Sequence, residues 1–346
     1  MTTAYVTHPR YLEHDLTGHP EHAGRIRAVW ERLDSLGLSR RMLRLDASMV
    51  DEDLILSVHT ADYLKVLHWV DETQQRVYLD ADTYAMPTSY AIARLAAGGV
   101  VTAVEAVLSG RASNGLAAIR PPGHHAMPGQ AMGFCLLGNI AISARYAQQQ
   151  YGLRRVMIVD YDVHHGNGTQ AMFYDDASVL IVSSHQYPYY PGTGAITETG
   201  HGAGTGFTLN MPLTAGHGDA SYARLFEQVV WPAARRFEPE LILVSAGFDA
   251  HWSDPLAGMR LSLSGYAHLS RELIRMAHQF CGGKIVFVLE GGYDLDALSY
   301  GMANVAAALL GDDTVNDPIG PPTPLPHEAD IEPLIARLRE IHRLEK

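Results

Sequence analysis

The 346-residue chain is short of cysteine, of basic charge and of long apolar runs, and each shortage closes off a class of protein. Its two cysteines, Cys135 and Cys281, are too few to frame a chain of this size with disulfides, so both are read as core residues of a protein from a reducing compartment. Lys and Arg total 26 against 38 Asp and Glu, a formal charge of −12, which argues against a nucleic-acid partner because no basic face is left for a phosphate backbone. The same acid excess favours a cationic substrate. No stretch reaches the roughly 18 unbroken apolar residues of a membrane span, and the opening MTTAYVTHPRYLEHD has neither the basic patch nor the apolar run of a signal peptide. A soluble, cytoplasmic protein with no membrane partner is expected. Charged residues make up only 18% and apolar residues 47%, which excludes disorder and coiled coil and suffices for one large α/β domain or two ordinary ones.

What is present is an alternation. Short β-branched runs at Leu116 to Ile119, Val156 to Val159, Val179 to Val182, Phe207 to Met211, Leu241 to Ser245 and Ile285 to Leu289 predict buried strands. Between and before them, helical spacing marks Ile26 to Leu33, Ser89 to Leu108, Asn139 to Tyr151, Asp219 to Phe237, Ser264 to Phe280 and Leu295 to Leu310. The fold class expected is α/β, a mostly parallel sheet with helices on both faces. A Pro-rich stretch, Pro318 to Pro326, leads to a final amphipathic helix around Ile331 to Ile341. About 20 residues cannot enclose a core, so residues 313–346 are expected to dock on a single domain formed by residues 1–312.

In parallel sheets ligands bind beyond the carboxyl ends of the strands, so the residues that follow each run carry the argument. After Ile119 comes RPPGHHA, with His124 and His125; after Val159, DYDVHHGNG, with Asp160, Asp162, His164, His165 and Asn167. After Val182 comes SSHQYPYYPGTG; after Ser245 and Ala246, GFDAHWSDPLAG with Asp249; after Leu289, EGGYD with Tyr293. Asp162 and His164 stand two apart at a strand end, so both side chains can project to one side. Imidazole and carboxylate are ligands of a borderline divalent ion such as zinc, and Asp249 is the natural third. A D-x-H on its own suits a hydrogen-bonded loop equally well; five polar strand ends together favour the metal. Pro121, Pro122 and Gly123 impose a fixed turn before the first histidine pair. No H-E-x-x-H, G-x-S-x-G or G-x-x-x-x-G-K-[ST] occurs. The Gly200 to Gly206 run precedes a strand, not a helix, which argues against a phosphate cradle and for a flexible loop.

These residues resemble the zinc-dependent histone deacetylase and acetylpolyamine amidohydrolase family, its class II and bacterial members most. RPPGHHA, GFC at Gly133 to Cys135, DYDVHHGNGTQ, YPGTG, SAGFDA and LEGGYD occur in the family's order, joined by HPEHAGR near residue 20 and HTADYL at residue 59. The resemblance spans residues 4 to 310 and implies the arginase-deacetylase fold. It implies metal ligands Asp162, His164 and Asp249 for zinc or ferrous iron, His125 as general base, His124 as its electrostatic partner, and Tyr293 as donor to the oxyanion. Asp160 is expected to orient His124, and Asn167, where class I members carry Asp, to orient His125. Gly133, Phe134 and Tyr190 are expected to shape an acyl-lysine tunnel. A structural potassium ion is expected near Asp160, Asp162, His164, Ser183 and Ser184.

Two competing functions follow from the same residues. An arginase-type ureohydrolase needs carboxylates for a second ion, where this chain has Gly166 and His251. A non-catalytic binding module would most cheaply have lost a ligand, a catalytic histidine or the tyrosine, and all are present. For substrate, polyamine-selective relatives are expected to carry a gatekeeper glutamate just after the D-P that follows the third ligand. Here that position is Leu256, which favours acyl-lysine in a peptide or protein over an acetylated polyamine. Asp80, Asp82 and Asp254 are the carboxylates that could supply the missing charge. Oligomeric state leaves no mark on the sequence.

Overall fold

A computed structural model describes residues 2–323 and 327–345, so Pro324 to Pro326 of the Pro-rich stretch lie outside the described residues. The strands, in chain order, are β1 (Thr3–Thr7), β2 (Leu43–Asp46), a small antiparallel pair β3 (Val77–Tyr78) and β4 (Tyr84–Ala85), then β5 (Asn114–Ala117), β6 (Val156–Asp160), β7 (Val179–Gln186), β8 (Thr208–Leu213), β9 (Leu241–Ala246) and β10 (Ile285–Leu289). The helices are α1 (Gly24–Ser35), α2 (Glu52–Ile55), α3 (Ala61–Thr73), α4 (Ser89–Leu108), α5 (Asn139–Tyr151), α6 (Asn167–Phe173), α7 (Asp219–Leu225), α8 (Trp231–Phe237), α9 (Leu263–Cys281), α10 (Leu295–Leu309) and α11 (Glu332–His342).

Eight strands form one sheet in the order β2-β1-β5-β10-β9-β6-β7-β8, every neighbouring pair parallel. Each of the six apolar runs contributes a strand to it. Two strands carried too little signal to be read from the sequence. β1 is five residues long and buried throughout, so it shows no apolar–polar alternation, and β2, at the sheet edge, alternates half-buried and exposed residues over only four positions. β5 ends two residues earlier than its apolar run. Ala118 still donates to Val6 O, but Pro121 and Pro122 have no N–H with which to extend a ladder.

From β6 the sheet grows one way, through β7 to β8; from β9 it grows the other, through β10. The carboxyl ends of β6 and β9 are therefore a topological switch point, the place where neighbouring loops part and leave a crevice. Helices pack on both sides, α4 with α5 as one group and α1 with α10 and α9 as another. α4 is long and apolar enough to cross a membrane by composition, yet 67% of that window is buried within this domain, and it packs on β1, β5 and β10. The helix read over Asp219 to Phe237 divides into α7, a widened π turn at Phe226–Val230, and α8. The π turn stands just before Pro232, whose ring cannot donate to the preceding turn. α11 packs on β8, with Ile335 and Leu338 joining the main core.

Candidate active site

The apolar run of β6 ends on Asp160, in register with Ser183 of β7 and Ser245 of β9. Two tight side-chain turns follow: Asp162 N donates to Asp160 Oδ1 (3.0 Å) and His164 N to Asp162 Oδ1 (2.9 Å). From the next loop Asp249 reaches across, its Oδ1 accepting from Val163 N at 2.9 Å, and beyond β10 Gly291 N donates to Asp162 Oδ2 at 2.8 Å. Three strand ends thereby place His164 Nδ1 3.2 Å from Asp162 Oδ1 and 3.2 Å from Asp249 Oδ2.

Burial by itself lowers a histidine pKa, but these two carboxylates raise that of His164 to about 10. Burial, reinforced by the charge of Asp162, raises that of Asp249. Asp249 Oδ2 is buried and accepts no hydrogen bond. The cluster thus holds more buried negative charge than its own donors satisfy. Its nitrogen and carboxylate oxygens all lie within 4.8 Å of one another, a donor set that fits one divalent ion of the zinc type.

The first histidine pair is delivered by the Arg120 turn. Arg120 is fully buried and pairs with Glu21 through Nε to Oε1 (2.7 Å) and Nη2 to Oε2 (2.7 Å). Burial alone would raise the Glu21 pKa; the Arg120 guanidinium holds it at about 2. Glu290 Oε2 accepts from Gly123 N (2.7 Å) and His124 N (3.2 Å), and the two rings emerge 4.0 Å apart. His124 Nδ1 donates to Asp160 Oδ2 at 3.0 Å, while His125 Nδ1 lies 2.7 Å from Asn167 Oδ1. Asn167 Nδ2 faces Met127 Sδ (3.2 Å) and Met132 Sδ (3.3 Å), so its oxygen faces His125; the His125 proton then sits on Nδ1 and Nε2 is left basic.

The adjacent rings titrate in opposite directions. Burial opposes protonation of His124, but Asp162, Asp160 and Glu290 lift its pKa well above the usual value. His125 is held well below the usual value by burial and by the neighbouring charges of His124 and His164. The surroundings thus favour the charged form of one ring and the neutral, basic form of the other.

Aromatic groups wall this edge. Tyr190 stands edge-on to His125 (5.2 Å, 87°) and to His164 (6.0 Å, 81°), and Phe134 edge-on to Tyr293 (6.0 Å, 83°). Gly133 lets the chain pass over the His125 ring: its φ is +54°, and a Cβ there would lie 2.4 Å from His125 Cδ2. Tyr293 is half-buried, and burial lifts its phenol pKa far above the usual value even with the Arg25 guanidinium 5.0 Å over the ring, so the hydroxyl keeps its proton. Leu256 is half-buried, and its backbone carbonyl accepts from the Tyr189 hydroxyl at 2.7 Å. Ser183 Oγ bonds His185 Nδ1 at 2.9 Å, and Ser184 Oγ is buried without a partner.

The ligands expected of a second ion are not assembled. A Cβ on Gly166 would lie 2.3 Å from Asp160 Oδ2, leaving no room for a carboxylate. His251 turns instead to Ser253 Oγ at 2.8 Å. Among the described residues no further carboxylate joins Asp162, His164 and Asp249. A second set of close donor atoms, His124, Cys135 and Glu290, is already engaged: the Cys135 thiol donates to Gly133 O and Glu290 braces the histidine turn.

Several residues of this edge had not been read from the sequence: Glu21, Arg25, Arg120, Glu290, Thr83 and Tyr189. Glu21 and Arg25 lie within HPEHAGR, and Glu290 follows an unbroken apolar strand; a charge so placed is the signal that could have exposed it. Thr83 Oγ1 accepts from Phe134 N (2.9 Å), and the Tyr189 ring stacks on His164 (5.8 Å, 21°).

The family described as histone deacetylase domain matches residues 19–309. Histone deacetylase 10, chloroplastic, of Oryza sativa subsp. japonica is 40% identical across 98% of this chain and 81% of its own length. A probable deacetylase of Archaeoglobus fulgidus is 40% identical across 90% of this chain and 88% of its own. The crystal structure of the HDA15 HD domain superposes with a TM-score of 0.89 at 36% identity, over 99% of this chain and 94% of that one. With a matching family over most of its length and the same fold in a solved relative, the chain belongs to the histone deacetylase family.

Proposed function

We propose that the protein is a metal-dependent amidohydrolase that removes acetyl or other acyl groups from acyl-lysine in peptides or proteins. The observation that carries this reading is the meeting, at one switch point, of a three-ligand cluster, a neutral histidine base and a protonated phenol. Asp162, His164 and Asp249 would hold zinc or ferrous iron, which when bound polarises an amide carbonyl and acidifies water. His125 Nε2, kept basic by the proton on Nδ1, takes a proton from the attacking water and returns it to the departing amine. Asn167 fixes that tautomer without adding charge, and Asp160 holds His124 as the cation beside it. The Tyr293 hydroxyl donates to the developing oxyanion, an interaction on the order of 3–4 kcal/mol. Gly133 lets Phe134 approach, and Phe134 and Tyr190 flank the apolar stem of the substrate. Potassium would sit where the β6 and β7 ends adjoin, around Asp160, Asp162, His164, Ser183 and Ser184; the partnerless Ser184 hydroxyl supports this. Residues 1–312 would form the catalytic unit, and the packing of α11 on β8 supports a docked tail in the 313–346 segment.

Acyl-lysine is preferred because Leu256 offers an internal ammonium no counterion. The Asp254 carboxylate is also turned inward, onto the N–H groups of Leu256, Tyr293 and Asp294. One observation favours acetylpolyamine as the second reading: the Thr83 hydroxyl that accepts from Phe134 N itself faces Asp82 Oδ1 at 3.4 Å, which brings a carboxylate to the Phe134 wall, and after burial the charges of Asp82 and Asp80 raise the Tyr190 pKa. The test is kcat/KM of the zinc-loaded protein for an acetyl-lysine peptide against acetylspermidine. A tenfold preference for the peptide is expected, and a tenfold preference for the polyamine, about 1.4 kcal/mol, reverses the substrate assignment. Hydrolysis of neither, nor of longer acyl-lysines, would overturn the amidohydrolase reading itself.

A further inference from the structure

An oxyanion donor works only if it is held where charge develops, and Tyr293 sits on a stretch ill suited to holding anything. The preceding Gly291 and Gly292 carry no side chain to pack, and Gly292 takes φ of +120°. On one side Arg25 grips the backbone, Nε donating to Gly292 O at 2.7 Å and Nη2 to Glu290 O at 2.5 Å. The other grip is a carboxylate. Asp254 is 6% exposed; its Oδ2 accepts from Tyr293 N at 2.7 Å and Asp294 N at 3.1 Å, and its Oδ1 accepts from Leu256 N at 2.9 Å.

The same residue ties the phenol to the tunnel rim. Leu256 O receives the hydroxyl of Tyr189, and the Tyr189 ring stacks on His164. Beyond Tyr293, Asp294 caps α10 by accepting from Asp296 N and Ala297 N, each at 3.0 Å. A strap therefore runs from the His164 face through Tyr189, Leu256 and Asp254 to Tyr293 and the helix behind it. We propose that Asp254 is a positioning residue for Tyr293, fixing the backbone of the oxyanion donor and coupling it to the rim loop. This rests on the reading of Tyr293 as that donor.

The test is Asp254→Asn, which keeps the shape and removes one acceptor. N–H groups approach both carboxylate oxygens, so an amide in either orientation must aim its NH2 at an N–H. We expect kcat on an acetyl-lysine peptide to fall at least roughly tenfold, with KM within about twofold and metal content unchanged. In a Tyr293→Phe background, followed with a more reactive trifluoroacetyl-lysine peptide, the same change should cost less than about twofold, because there is no phenol left to position. Equal losses in both backgrounds, or a kcat for Asp254→Asn within twofold of the parent, overturn the proposal. Near-normal rates for Tyr293→Phe alone would instead overturn the oxyanion role. If Asp254→Asn does not fold, Tyr189→Phe tests the strap from its exposed end. It should lower kcat about threefold in the parent and not in the Tyr293→Phe background, and no loss in the parent overturns the proposal.

Discussion

The chain contains the dipeptide His-His twice at strand ends, and the two copies are put to different use. At His124–His125 both rings enter the site, 4.0 Å apart, one on the carboxylate of Asp160 and the other on the amide of Asn167. At His164–His165 the rings part. His164 meets Asp162 and Asp249, whereas His165 turns between Thr193 Oγ1 (2.8 Å) and Gln170 Oε1 (2.9 Å). Burial is common to all four, so it does not assign the roles. The partner of each ring does: a carboxylate makes a cation, a neutral amide leaves a base, and two carboxylates make a place for a metal.

The comparison can be broken in descending steps. Asp249→Ala removes a carboxylate from His164 and should strip the metal, with activity falling by about three orders of magnitude, about 4 kcal/mol. Metal analysis and turnover on one preparation check both. His125→Ala should cost roughly a hundredfold in turnover while leaving metal content normal, since His125 is no ligand. A variant that lost both would merge the two histidine pairs into one function.

Asn167→Asp gives His125 the kind of partner His124 has. A carboxylate stabilises the protonated ring, so the His125 pKa rises and the protonated, inactive fraction grows as pH falls. The acidic limb of the kcat/KM profile should move up by about one pH unit, and turnover at high pH should change little. In the parent, where burial and neighbouring charge hold His125 well below its usual pKa, that limb should lie at low pH. The smallest effect is expected at His165→Gln, with turnover per folded molecule within about threefold of the parent and metal retained, because both ring nitrogens face structural partners. A hundredfold loss there would mean the second pair acts as the first does.

Much of this edge was legible because parallel sheets collect their chemistry after the strands, and β6, β7, β9 and β10 announce themselves as apolar runs ending in Asp, Ser, Gly and Glu. β1 and β2 were not, since β1 is five buried residues with no apolar–polar alternation and the alternation of β2 spans only four positions. The supports under the site were harder still. Arg25 reaches Glu290 O and Gly292 O, and Arg120 reaches Glu21, across separations in sequence that no local pattern spans. On the sequence Asp254 is a candidate counterion for a cationic substrate; only its hydrogen bonds reveal that its carboxylate is committed to the Tyr293 loop.

The central claim is that one divalent ion on Asp162, His164 and Asp249 suffices for amide hydrolysis. It is tested most directly by stripping the protein with a chelator and titrating zinc back while following both bound metal and hydrolysis of an acetyl-lysine peptide. The account predicts that activity is absent at the start, rises in proportion to bound zinc and levels off at one equivalent per chain. Full activity in the stripped protein, or a rise that continues to a required second equivalent, would contradict it.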